Sequence, residues 1–85
     1  MRIIFNMQKL QAIFGKAVKR RREELGLSQE KLGEKAKLHR TYISDIERGV
    51  RNVSLQNIVT LIHSLEISIP EFFTKYASGL DKPNR

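Results

Sequence analysis

Lys19-Arg20-Arg21-Arg22 sets four consecutive cations in a chain of 85 residues, and the chemistry they offer is the binding of anions. On a helix, four successive side chains point around the axis, so the run cannot meet one anion as a block. Some of it is free to steer or touch a phosphate, and some is free for the fold. The bias extends beyond the run. The chain holds 16 Lys and Arg against 9 Asp and Glu, a net charge of +7, and residues 1–48 carry a net of +6 of it. Residues 49–85 are nearly neutral, so the first half is the expected anion-binding part and the second a packing or association surface. Other chemistries lack their residues. There is no Cys, which excludes a disulfide scaffold, thiolate zinc and thiol catalysis. His39 and His63 have no metal-ligand spacing and read as surface or capping histidines. No Ser–His–Asp grouping stands out beyond the chance presence of its members. We therefore expect no metal, no cofactor and no enzyme, and an anionic partner: nucleic acid or an acidic membrane surface.

A chain this short makes one domain, residues 1–85, with one modest core. The apolar run in Met1–Leu10 is too short for a secretory signal, and no stretch of about 18 apolar residues offers a transmembrane helix, so a cytoplasmic protein without a membrane partner is expected.

The elements that must position these charges read as five short helices and no strand, an all-α fold. Leu10, Ile13, Phe14, Ala17, Val18 and Leu25 recur at helical spacing and Gly26 closes the run; Arg21 interrupts the stripe, its stem able to cover apolar surface. Ser28 is an N-cap with Glu30 in the first turn, and Leu32 and Ala36 form the buried face. Gly33 between them costs about 1 kcal/mol of helix propensity, which predicts a close backbone neighbour. The second helix stops near Lys37 and a third follows within two residues, with Ile43 and Ile46 inward and Gly49 at its end. Ser54 caps a fourth with Leu55, Ile58, Val59, Leu61, Ile62 and Leu65 as its apolar set. Ser68-Ile69-Pro70-Glu71 has the spacing of a capping box and starts a fifth, to about Tyr76; residues 78–85 read as frayed.

Two short helices, about 28–37 and 39–48, joined by a tight turn in a basic half, form a helix-turn-helix pattern, whose second helix fits the major groove. Side-chain identities sharpen the reading. Leu27-Ser28-Gln29-Glu30-Lys31-Leu32-Gly33, Tyr42-Ile43-Ser44-Asp45-Ile46-Glu47-Arg48-Gly49 and Asn52-Val53-Ser54-Leu55 resemble the phage repressor and Cro type of helix-turn-helix, the XRE family, over residues 12–73. Arg40-Thr41-Tyr42-Ile43-Ser44 with Arg51-Asn52 also resembles the controller proteins of restriction–modification systems. Two positions depart from the pattern: Gly33, where Ala is usual, and Lys37, where the turn usually has Gly or Asn.

The resemblance implies roles residue by residue. Gln29 would touch a phosphate and brace the recognition helix, and Asn52 would meet the DNA backbone. Arg22 and Glu47 would form an ion pair tying the first helix to the third. Arg40, Thr41, Ser44 and Asp45 would face base edges. Their chemistry suits that: an arginine can donate twice to guanine, a threonine methyl can meet thymine, and a carboxylate can accept from cytosine N4. Asp45 has the alternative of pairing within the chain, with Arg40 or Arg48. Tyr42, Arg51, Lys19 and Arg21 are further backbone-contacting candidates. The expected partner is double-stranded DNA with a palindromic operator, bound by a homodimer, with RNA polymerase as a further candidate. A dimer surface is expected over about residues 61–77, where the apolar set is wider than one core stripe needs, with Leu65, Ile67, Ile69, Phe73 and Tyr76 as contributors. The resulting function is sequence-specific transcriptional regulation, as repressor, activator or both. A phage-type repressor, or a DNA-binding antitoxin or accessory protein with a protein partner, is the alternative. An RNA-binding module is disfavoured because five of the six Phe and Tyr residues, all but Tyr42, lie outside the motif.

Overall fold

The computed structural model describes residues 6–81, which form five α-helices and a closing 3₁₀ turn: α1 Met7–Glu24, α2 Gln29–Ala36, α3 Arg40–Glu47, α4 Leu55–Ser64, α5 Ile69–Tyr76, then Ser78–Asp81. Every α-helix opens on a side chain that takes up an orphan N–H of its first turn. Asn6 caps α1, Ser28 α2, His39 α3 through Nδ1, Ser54 α4 and Ser68 α5. Left-handed residues follow four of the helices: Gly26, Lys37, Gly49 and Glu66. At Lys37 the caps are complete, with Lys37 N–H on Glu34 O and Leu38 N–H on Gly33 O. The turn between α2 and α3 is therefore an ordinary left-handed helix end, made with a lysine where glycine would be less strained.

The core lies where all five helices meet. Phe14 and Val18 of α1, Leu32 of α2, Ile43 and Ile46 of α3, Leu61, Ile62 and Leu65 at the end of α4, and Phe72 of α5 are buried. Phe14, Phe72 and Phe73 form an aromatic cluster, with Phe72 edge-on to both neighbours. Two glycines set the helix spacing. A Cβ on Gly15 of α1 would overlap the Ile46 carbonyl oxygen and lie 3.1 Å from that of Glu47, so α1 and the end of α3 touch backbone to backbone. A Cβ on Gly33 would stand 2.6 Å from Leu38 O, so α2 is close against the turn leading into α3.

The apolar set of α4 is indeed wider than its core stripe: Leu55, its first residue, points to solvent and is 78% exposed. Three expectations are corrected. Leu65 is wholly buried in the monomer and so cannot contribute to a dimer surface. Residues 78–81 are ordered as the 3₁₀ turn, which packs on α1 through Gly79 against Ile13; residues 82–85 lie outside the described residues. Arg21 is not directed at a phosphate. Its Nε donates to Leu65 O at 2.9 Å and its Nη2 to Glu66 O at 3.1 Å, so its guanidinium closes the carbonyl end of α4.

Candidate nucleic-acid interface

In α3 and its C-cap, Ile43, Ile46 and Glu47 are buried and Arg40, Thr41 and Arg48 are exposed, with Ser44 and Asp45 half-buried between them. At 3.6 residues per turn Thr41, Ser44, Asp45 and Arg48 share the side opposite the buried three, and Arg40 stands at its edge, two turns from Glu47. The helix thus presents one continuous polar face, anchored from behind.

The anchor is a buried ionic cluster. Arg22 of α1 meets Glu47 as a fork, Nε to Oε2 at 2.6 Å and Nη2 to Oε1 at 2.9 Å, and its Nη1 donates to Leu27 O at 2.7 Å. Gln29 of α2 donates from Nε2 to Glu47 Oε1 at 3.1 Å. One carboxylate thereby joins α1, α2 and the end of α3. The bond to Glu47 raises the Arg22 pKa above its ordinary value against the opposing effect of burial. Every buried side-chain polar atom among the described residues has a partner, as a buried ionic site requires.

A second network borders the polar face. Asp45 accepts from Arg48 Nη2 at 2.6 Å and has Arg51 Nη2 at 3.6 Å from its other oxygen. The Arg51 guanidinium lies over the Tyr42 ring, 4.9 Å from its centroid, and the Tyr42 hydroxyl accepts from Asn57 Nδ2 at 3.1 Å. Recognition helix, following loop and α4 are joined by these contacts. Of the two alternatives for Asp45, the intrachain pair with Arg48 is the one formed here, with Arg51 nearby at 3.6 Å. Arg40 and Thr41 are exposed and the Arg40 side chain has no ion pair or hydrogen bond among the described residues; Asn52 is exposed in the loop. Lys19 is exposed one turn of α1 beyond Gly15, on the edge that faces the end of α3. Arg48 takes the role of Asp45 partner that the sequence offered it. Asn57 was missed, since its bond to the Tyr42 hydroxyl carries no signal outside the fold. No group of His, Asp and Glu among the described residues could hold a metal ion, and no helix there is long and apolar enough to cross a membrane.

Residues 18–72 match the Helix-turn-helix family. A control protein of Bacillus amyloliquefaciens, C.BamHI, is 49% identical over 59 residues, 68% of this chain and 73% of that protein. The chain is a helix-turn-helix protein of the controller group. The fold of this controller-group chain is shared by solved relatives. The restriction–modification controller protein C.AhdI from Aeromonas hydrophila superposes with a TM-score of 0.76 at 39% identity, over 81% of this chain and all of that one. C.Esp1396I, solved as a tetramer in complex with its natural 35 base-pair operator, superposes with a TM-score of 0.78 at 36% identity, over 86% of this chain and 96% of that one. The chain is thus a helix-turn-helix DNA-binding regulator of transcription, with relatives that control restriction–modification systems.

Proposed function

We propose that this protein is the cytoplasmic controller of a restriction–modification system, binding a palindromic duplex operator as a homodimer to regulate its own gene and that of a companion endonuclease, without enzymatic activity of its own. The observation that carries the reading is the free polar face of α3, held by a buried Arg22–Glu47–Gln29 cluster. A recognition helix must keep its register while its outer side chains exchange water for bases, and a three-helix anchor supplies that. Arg40, Thr41 and Ser44 are the base-facing side chains. Lys19, Tyr42, Arg48, Arg51, Asn52 and Gln29 would be the contacts to the two phosphate strands.

The homodimer would form on α5 and the turn before it. Ile67, Ile69 and Phe73 remain half-exposed there, and the outer side of α5 carries a shallow depression lined by Pro70, Phe73, Thr74, Ala77 and Leu80. Tyr76 is less available, since its hydroxyl bonds Glu24 and its ring is flanked by the cations of Arg20 and Lys75. Contact with RNA polymerase would follow from where the operator lies relative to the promoter.

Selection of bound sites from a random duplex pool tests the reading, with an inverted repeat as the expected product. Arg40→Ala should then cost about 1–3 kcal/mol on the selected site and flatten discrimination at one base pair per half-site. An unchanged ranking of single-base variants would refute the role of Arg40. Thr74→Arg, on the exposed side of α5, should leave the helical spectrum intact and shift sedimentation from dimer to monomer.

A further inference from the structure

Asn57 stands in the first turn of α4, where its backbone N–H is taken by the Ser54 cap and its side chain reaches another helix. Its Nδ2 donates to the Tyr42 hydroxyl of α3 at 3.1 Å, across 15 residues of sequence. The bond acts on Tyr42 in two ways. A phenol oxygen that accepts from an amide keeps its own proton, so the hydroxyl is left as a donor for an outside acceptor. A half-buried ring held at one end by the α3 backbone and at the other by the amide also offers a fixed face. The Arg51 guanidinium lies over that face, 4.9 Å from the ring centroid. A guanidinium over a ring still has N–H donors at its rim. The nearest carboxylate, that of Asp45, is 3.6 Å from Nη2 and beyond hydrogen-bond distance, so no hydrogen bond to Asp45 has to break before Arg51 meets a phosphate.

We propose that Asn57 is a positioning residue for DNA binding: through Tyr42 it prepares two phosphate donors, the phenol O–H and the Arg51 guanidinium, before the duplex arrives. The proposal rests on the DNA-binding reading above and adds to it a residue of α4 that acts without meeting DNA itself. An exposed arginine in a loop loses rotamer freedom when a phosphate fixes it, and that loss opposes binding. Where the ring already holds the guanidinium, part of the loss has occurred on folding. The same contacts persist in the complex, because a phosphate oxygen approaches the guanidinium rim and the phenol proton, and neither is used by Asn57 or by the ring face. Phosphates are common to every sequence, so Asn57 sets affinity for any duplex and leaves base preference to α3.

Asn57→Leu removes the donor at similar size. It is compared with wild type, Arg51→Ala, and the Tyr42→Phe, Arg51→Ala pair with and without Asn57→Leu. Fluorescence anisotropy across a salt series is read on the selected operator, its single-base variants and a random-sequence duplex of equal length, and circular dichroism and thermal melting establish that each variant is folded. Asn57→Leu should weaken both duplexes by about 2–12-fold, the range for ordering one long side chain at an interface, with the ranking of single-base variants unchanged. Arg51→Ala removes a charge and should make the slope of log K against log salt shallower by about 0.9, whereas Asn57→Leu should keep the wild-type slope. In the Tyr42→Phe, Arg51→Ala background, Asn57→Leu should have no further effect, because both groups it prepares are gone. In the free protein, nitrogen relaxation at Arg51 Nε should show an ordered side chain in wild type and a mobile one in Asn57→Leu. Three results would overturn the proposal. A loss that persists in the double background means that Asn57 meets DNA itself or acts through the fold. An unchanged affinity of Asn57→Leu beside a weakened Arg51→Ala means that the ring needs no anchor. An Arg51→Ala protein with wild-type affinity and slope means that Arg51 is no phosphate contact, and an inverted repeat from the selection would then leave the controller reading standing. The random-duplex comparison needs no operator, so a selection that yields no preferred site would count against the controller reading and leave the result for Asn57 intact.

Discussion

Gly15→Ala adds one methyl group where α1 and α3 meet backbone to backbone. The new Cβ would overlap the Ile46 carbonyl oxygen, which is part of a helix and cannot swing aside as a side chain would. Restoring an ordinary carbon–oxygen separation of about 3.3 Å requires the two helices to part by roughly an ångström. Alanine gains about 1 kcal/mol of helix propensity over glycine. Against this stand overpacking, at about 1–3 kcal/mol, and lengthening of the Arg22–Glu47 bonds, since Glu47 follows Ile46 on the displaced turn. A buried pair broken outright costs about 3–5 kcal/mol, and partial lengthening takes a fraction of that. The net is a destabilisation of about 2 kcal/mol, or roughly 8–16 °C in Tm for a domain of this size. The control is Gly26→Ala, where nothing lies within 4 Å but φ is +71°. It should cost about 1 kcal/mol through backbone conformation alone and leave DNA affinity unchanged. Urea and thermal unfolding followed by circular dichroism, beside fluorescence anisotropy with duplex DNA, make the comparison. A Gly15→Ala protein that melts at or above wild type would refute the close-contact argument.

Glu47→Ala should cost about 3–5 kcal/mol because it leaves Arg22 buried without its partner, and the Arg22→Ala, Glu47→Ala double variant should cost clearly less than the sum of the singles in urea unfolding; additivity would mean the two do not interact. Lys37→Gly should stabilise the fold by about 0.5–1 kcal/mol, read as a higher urea midpoint, since the lysine sits at φ +57° and glycine does so without steric cost. The Glu24 carboxyl is held below its ordinary value mainly by the Tyr76 hydroxyl, and that of Glu66 mainly by its bond to Lys35. A carboxyl with a lowered folded value contributes stability that is complete above the unfolded value and is lost as pH falls through the folded one. Tyr76→Phe and Lys35→Met should therefore be less stable than wild type at neutral pH and converge on it below the carboxylate range, as read by thermal melts across an acid titration.

The helix count was legible because the chain punctuates each element with its own chemistry. Ser28, Ser54 and Ser68 mark starts, Gly26 and Gly49 mark ends, and local backbone hydrogen bonding needs nothing from the rest of the fold. The polar face of α3 was legible from spacing joined to the family likeness. What escaped depends on contacts distant in sequence. Arg21 and Leu65 are 44 residues apart, so nothing local says that the guanidinium closes α4. Leu55 fits the apolar period of α4, and only the edge of the packed layer decides that it faces water. Gly15 has no local signature either, being an unremarked residue in a helix until the α3 carbonyls arrive beside it. Asp45 was readable both as a base reader and as a partner of Arg40 or Arg48, and the bond to Arg48 is formed; Arg51, in the loop beyond the helix, carried no local signal that it comes near the same carboxylate.

The recognition helix is eight residues long, and so is α2 before it. Isolated helices below about 12–15 residues are marginal in water, so neither outlasts its contacts with α1 and α4. The helix α5 is equally short. None of the three is a folding unit of its own, so each exists only as part of the whole domain, and their amides should lose protection from hydrogen exchange together, in the global opening of the chain.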